Sequence, residues 1–284
     1  MKKNVLLLIA ISMSFLVDAQ IETPAPSPFS KLEQKVGLTD VTIEYSRPGM
    51  KGRKIFGELV PFDAIWRTGA NQNTKIIFSD DVTIKGKELK AGTYAIYTRP
   101  SEAVWEVFFY TDSENAGTPQ EWDASKVAAT VKVETMQIPV PIETFTITID
   151  DMHNNGATLG IMWENTYVGV DFVVPTVDKA IKSIEDTMAN KTDLTANDYY
   201  AAGSYYFAEG MNMEQASEWV NKAVEMDGGK AYWMMRTQSL IYAKLGNNKA
   251  AIETAKKSLA AAQAAGNQDY VKMNKDSLKE WAGM

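Results

Sequence analysis

Residues 144–164 read TFTITIDDMHNNGATLGIMWE, and their rhythm decides the fold of the first half of the chain. Phe145, Ile147 and Ile149 alternate with Thr144, Thr146 and Thr148. Further on, Ala157, Leu159, Ile161 and Trp163 alternate with Thr158, Gly160, Met162 and Glu164. Successive side chains of a strand point to opposite faces, so a period of two gives each strand one apolar face. Asn154, Asn155 and Gly156 separate the two runs, and Asn155-Gly156 predicts a type I′ hairpin.

The same rhythm extends outward on the N-terminal side. Val41, Ile43 and Tyr45 alternate with polar neighbours, as do Val131 and Val133. Residues 104–110, VWEVFFY, are apolar on both faces apart from Glu106 and predict a central strand. Lys85-Gly86-Lys87 and Ala91-Gly92 bracket another short strand. Nine or ten strands and no helix are expected over residues 31–174. Sheets with one apolar face must bury it against another layer, which predicts an antiparallel β-sandwich or jelly-roll.

At Pro175 the period changes. Val177, Ile181, Ile184 and Met188 lie on one helical stripe, which predicts a connecting helix within residues 175–196. Thr195 and Asp198 have the spacing of a capping box. Residues 197–284 repeat on themselves. A shift of 35 aligns Ser204 with Ser239, Phe207 with Tyr242, Asn212 with Asn247 and Ala216 with Ala251. This text resembles the tetratricopeptide repeat, a stack of helix pairs, although the Trp, Leu and Pro positions of that family are mostly absent. The resemblance implies a small α-helical repeat domain with a groove for a peptide or partner protein.

Upstream of the sheet, Lys2 and Lys3 precede the short apolar run Val5–Val17, and Val17-Asp18-Ala19 offers a cleavage site. Residues 1–19 are therefore expected to be a secretory signal, residues 20–30 a proline-bearing linker, and the protein periplasmic or secreted. The mature chain has no segment apolar enough to span a membrane. The net charge of the full chain, -7, argues against nucleic acid, which selects a basic face. Absence of cysteine excludes disulfides and thiolate metal sites, and a single histidine excludes a histidine metal cluster.

The most distinctive stretch is residues 45–74, YSRPGMKGRKIFGELVPFDAIWRTGANQNT. Its blocks Tyr45–Pro48, Lys51–Gly57 and Trp66–Asn71, with Leu89–Tyr94 downstream, resemble the DUF2911 family, bacterial proteins of unknown function, over residues 28–173. The resemblance implies no activity. Three of the five arginines, Arg47, Arg53 and Arg67, fall in this loop. Their planar donor forks suit carboxylate, phosphate or sulfate, and Trp66 and Asn71 would add a stacking face and an amide. The alternative is that the arginines pair with Glu44, Glu58 or Asp63 and simply tie the loop down.

Other chemistry is sparse. His153 lies beside the expected hairpin tip and reads as a surface residue rather than a general base. Asp80-Asp81 and Asp150-Asp151 are adjacent in sequence and read as turn residues. Asp112, Glu114, Asn115, Glu121 and Asp123 form an acidic loop without calcium-loop spacing, which reads as solvated. Tyr94 and Trp105 are expected in the core, whereas Tyr97 and Trp122 are expected to be exposed for stacking on a sugar. The reading at this level is an exported binding or scaffolding module for a small polar or anionic ligand, a glycan or a partner protein, with no cofactor and no metal. Catalytic residues are not identified. The rival is an enzyme acting on a carbohydrate or other polar substrate through carboxylates and the loop arginines.

Overall fold

The computed structural model describes residues 23–282; the expected signal sequence lies outside them. The chain divides into two compact units between Val177 and Asp178. In the first, nine strands form an antiparallel sheet in the order β1-β2-β3-β6-β7-β8-β9-β4-β5. They are β1 (Phe29–Val36), β2 (Thr39–Ser46), β3 (Lys75–Phe78), β4 (Val82–Ile84), β5 (Lys87–Leu89), β6 (Gly92–Arg99), β7 (Val104–Tyr110), β8 (Val127–His153) and β9 (Gly156–Val173). β1 begins inside the expected linker, at Phe29. The one helical piece described between β1 and the end of β9 is a short 3₁₀ turn, Ala124–Lys126.

The sheet becomes a sandwich because β8 belongs to both layers. Its first part, Val127–Glu134, pairs with β7, and from Thr135 onward it pairs with β9. Within the β9-paired part, Gln137 faces Thr166, and the next pair is Ile142 with Glu164. Four residues, Ile138-Pro139-Val140-Pro141, therefore oppose the single residue Asn165. Proline has no N–H to donate to a ladder, so the strand bulges where Pro139 and Pro141 occur. Asn165 clasps the bulge by donating from Nδ2 to the Ile138 carbonyl at 2.9 Å. Opposite it, Glu164 adopts a left-handed φ of 55°.

Inward residues of the two layers then share one core. Ile43, Ile76, Ile96 and Val107 meet Phe145, Ile147, Leu159, Ile161 and Trp163 in a single buried cluster. Tyr45 adds a polar tie across it. Its hydroxyl donates to the Ile147 carbonyl at 3.3 Å and accepts from the Ile147 N–H at 3.1 Å. β7 is the middle strand of the nine, as its two apolar faces predict. Its outward Phe108 and Tyr110 join Ala95 and Tyr97 of β6 under Trp122, whose ring lies 4.8 Å from that of Tyr110. Tyr97 is thus a fully buried residue, not an exposed platform, and Trp122 is its lid. The acidic loop has the composition of a solvated segment, but its Trp122 has an apolar surface to cover.

Two turn expectations also change. The β8–β9 hairpin turns through Asn154-Asn155, with Gly156 already in β9, and neither asparagine has a positive φ. Gly156 is required for closeness instead: a Cβ there would lie 2.4 Å from the Phe172 carbonyl oxygen. Positive φ at both turn residues, as a type I′ turn demands, occurs at Lys85 (48°) and Gly86 (80°) between β4 and β5.

The second half is helical: α1 (Thr176–Asn190), which crosses the division, then α2 (Ala196–Ala208), α3 (Met213–Asp227), α4 (Tyr232–Lys244), α5 (Asn248–Ala264) and α6 (Gln268–Trp281). Asn212 and Asn247 cap α3 and α5 by accepting from Gln215 N–H and Ala250 N–H, and Ala216 and Ala251 are both fully buried. The 35-residue shift thus holds for α3 and α5. For α2 and α4 the structural shift is 36, because the turn before Asn212 is one residue longer than the turn before Asn247. Gly203, not Ser204, corresponds to buried Ser239, and Tyr206, not Phe207, to Tyr242. Gly203 is needed where helices approach: a Cβ there would lie 2.7 Å from Val220.

Thr195 caps α2 in a reciprocal capping box with Asp198, whose carboxylate also accepts from Lys191 at 2.6 Å. Lys191 first, and then the Thr195 hydroxyl and N–H, pull the Asp198 pKa down from 3.8 to about 2. A pKa lowered by folding gives stability that is present above 3.8 and lost as pH falls toward 2. Asp198→Asn should therefore lower thermal stability at neutral pH. The gap to the parent protein should close on acidification through that window, read by helical circular dichroism.

Candidate functional site

The loop between β2 and β3 carries the candidate site, and its backbone is pinned at several points. Trp66 exchanges two hydrogen bonds with Thr98, N–H to O at 2.7 Å and O to N–H at 2.9 Å, extending the ladder along β6. Two residues later, Thr68 is fully buried with a φ of 55°. A β-branched residue in this region is a genuine outlier, and such strain costs on the order of 1–3 kcal/mol. It is held there from both sides. Its hydroxyl bonds Thr98 Oγ1 at 3.1 Å, and its carbonyl accepts from Thr74 Oγ1. Gly69 follows at φ 141°, packed against Ser46, Thr74 and Phe145. Arg67 stands immediately before this fixed turn.

A cavity of about 430 Å³ opens beside it. Trp66, Trp163, Leu59 and Val60 supply its apolar wall, and Lys51, Arg53 and Arg67 line it as cations. No carboxylate lines it. The two indoles are stacked, 6.0 Å apart and 16° from parallel. Pro26 and Ser27 form one side. That segment is docked rather than loose: the Pro28 carbonyl accepts from Arg47 N–H at 2.9 Å, and the Ser27 carbonyl accepts from Asn71 Nδ2 at 3.2 Å.

The five sequence candidates separate into two groups. Arg53, Trp66 and Arg67 line the cavity; Arg47 and Asn71 do not. The Arg47 guanidinium faces the sheet, donating to the Phe145 carbonyl at 3.1 Å and to Thr146 Oγ1 at 2.9 Å. Asn71 serves as the clasp on Ser27 and also donates to Ser46 Oγ. Arg53 is exposed and donates to the Met50 and Gly49 carbonyls, closing its own turn. None of the three arginines forms an ion pair with a carboxylate among the described residues. Arg67 differs from the others. Its side chain makes no hydrogen bond there, and its Nε is buried without a partner. Two lining residues escape the sequence reasoning. Lys51 is visible there only as part of a motif block, and Trp163 only as a core residue.

The remaining candidates take structural places. Asp81 accepts from Lys90 and from the Ala91 N–H, contacts that hold its carboxyl below the usual range. Asp150 accepts from Thr148. Nearby, burial first and then Asp150 push the Tyr167 hydroxyl up to about 12, so it stays protonated. His153 is exposed and accepts from Asn155 N–H at 3.2 Å. No group of acidic or histidine side chains suited to a metal occurs among the described residues. Two further concavities open elsewhere: one of about 310 Å³ lined by Glu102, Trp105 and Glu164, and one of about 620 Å³ in the helical unit lined by Tyr199, Trp219 and Lys222.

A family model described as a protein of unknown function, DUF2911, matches residues 27–172. The chain belongs to the DUF2911 family. The matched span contains the whole cavity apart from Pro26. A search of curated proteins found no match. Within this DUF2911 unit, Gly52 and Gly69 provide a contrast. Both have a positive φ, but a Cβ on Gly52 meets open space, whereas one on Gly69 lies 3.0 Å from Thr74 Oγ1 and 3.2 Å from the Ser46 carbonyl. Thermal melts should show Gly52→Ala costing about 1 kcal/mol and Gly69→Ala at least about 2–3 kcal/mol.

Proposed function

We propose that this protein is an exported, non-enzymatic binding module whose β unit holds a small anionic or polar ligand in the Arg67 cavity. The observation that carries this reading is the unspent guanidinium. Arginine offers five donors, and leaving a buried donor unpaired costs about 1–3 kcal/mol. A strained turn that fixes such a group beside an acid-free wall makes sense if a ligand supplies the missing acceptor. Lys51 and Arg53 add positive charge to the same cavity, and the indole wall suits the body of a ligand that carries the anion.

An enzyme working through the loop arginines would need paired carboxylates beside them, and the lining of this cavity offers none. Export rests on the pattern of residues 1–19. For the helical unit we propose a tetratricopeptide-like array that meets a peptide or partner protein. Its support is the pair of equivalent helix hairpins, α2–α3 and α4–α5, with matched asparagine caps.

Calorimetric titration with inorganic phosphate, glucuronate and glucose 6-phosphate tests the cavity. Arg67→Ala should weaken the best of these by about 10–100-fold while leaving the melting temperature unchanged or raised. Arg47→Ala should do the reverse, because it breaks two bonds to the sheet. Retained binding in Arg67→Ala, or no binding of any of the three by the parent protein, rejects this ligand class. Added salt should weaken the interaction, as screening of an ionic contact requires.

A further inference from the structure

The bulge in β8 opens a second concavity, of about 310 Å³, whose chemistry is unlike that of the Arg67 cavity. Glu102 and Glu164 line it together with Lys54, and Phe56, Phe62 and Trp105 supply its aromatic surface. The geometry points to a second ligand site here, for a neutral saccharide of one or two rings. This inference does not depend on the anion reading, because it uses different residues.

Three observations carry it. First, Glu164 keeps a side chain at a φ of 55°, where glycine would be free of strain. Its carboxylate makes one hydrogen bond, accepting from the Phe56 N–H at 3.3 Å, and so keeps acceptor capacity to spare. Second, the Glu102 carboxylate has no partner among the described residues. Third, Trp105 is 1% exposed, and its indole N–H is buried without an acceptor.

The charge pattern selects the ligand. Two carboxylates disfavour an anion, and Lys54 disfavours a cation. A neutral ring with several hydroxyls meets both kinds of group, donating to Glu102 and Glu164 and accepting from Lys54. Its C–H face packs on the half-buried ring of Phe62, and a hydroxyl directed at the buried floor would approach the unpaired Trp105 N–H. The volume holds one or two rings. The site is also partly fixed in advance: Phe56 contacts Trp105 at 4.9 Å between ring centres, and the Asn165 clasp holds the bulge beside it.

The test is tryptophan fluorescence and calorimetry on the intact protein with glucose, galactose, N-acetylglucosamine, maltose and cellobiose, each up to about 10 mM. At least one should bind. Glu102→Gln and Glu164→Gln should each weaken it by about ten-fold or more, with melting temperatures near that of the parent, since glutamine keeps an acceptor for the Phe56 N–H. Arg67→Ala should leave saccharide affinity unchanged, which separates failure of this site from failure of the anion cavity. No binding by any of the five sugars overturns the inference. So does saccharide binding that survives both glutamine variants, or that is lost in Arg67→Ala. Binding of methylammonium in place of the sugars also overturns it, and marks the site as a cation cage.

Discussion

The β unit depends on a failure of pairing. Pro139 and Pro141 cannot donate to β9, so β8 spills four residues against one and bends just after it passes from β7 to β9. Without that bend the inward faces of the two layers could not close on a common core. The bend also sets the geometry around the two cavities of the β unit. Consecutive residues of β9 point to opposite faces there, so that the buried Trp163 backs the wall of the cationic cavity while Glu164 lines the concavity behind the bulge.

Five of the seven non-glycine residues with a left-handed φ among the described residues lie in the β2–β3 loop or opposite the bulge; the other two, Lys85 and Asp151, sit near hairpin turns. Lys51, Asp63, Thr68 and Asn71, all in the β2–β3 loop, have left-handed φ values, as does Glu164 opposite the bulge. Each such residue opposes folding, and each persists only where its surroundings over-determine it. Thr68 shows how. It is buried, bonded through its hydroxyl to Thr98 and through its carbonyl to Thr74, and adjacent to a glycine at φ 141° where a Cβ would crowd Thr74 and Ser46. The product is an arginine held in place by its backbone neighbours and not by its own side chain.

Period two and the break at Pro175 are enough to read the order β then α, because both report burial of apolar surface, the dominant driving force for folding. Residue identity at the turns is less informative. Asn155-Gly156 has the composition of a type I′ turn, yet Gly156 is there because the Phe172 carbonyl passes too close for a side chain. Tyr97 sits at a strand position that faces out from the main core, and period alone does not show that Trp122 comes back to cover it. Among the arginines the sequence ranks none above another. What separates Arg47 from Arg67 is a pair of acceptors on a strand about a hundred residues away, a tertiary fact. The helical repeat shows the same limit at smaller scale. One extra turn residue shifts the first helices by 36 while the second helices keep 35, and only packing at Gly203 reveals it.

The docked segment Pro26–Pro28 has a practical meaning for handling the molecule. Since Ser27 is simultaneously cavity wall and anchored backbone, anything joined to the chain just ahead of Pro26 is joined at the lip of the cationic cavity. Purification handles, fluorophores or surface attachment placed there would crowd the mouth of that cavity.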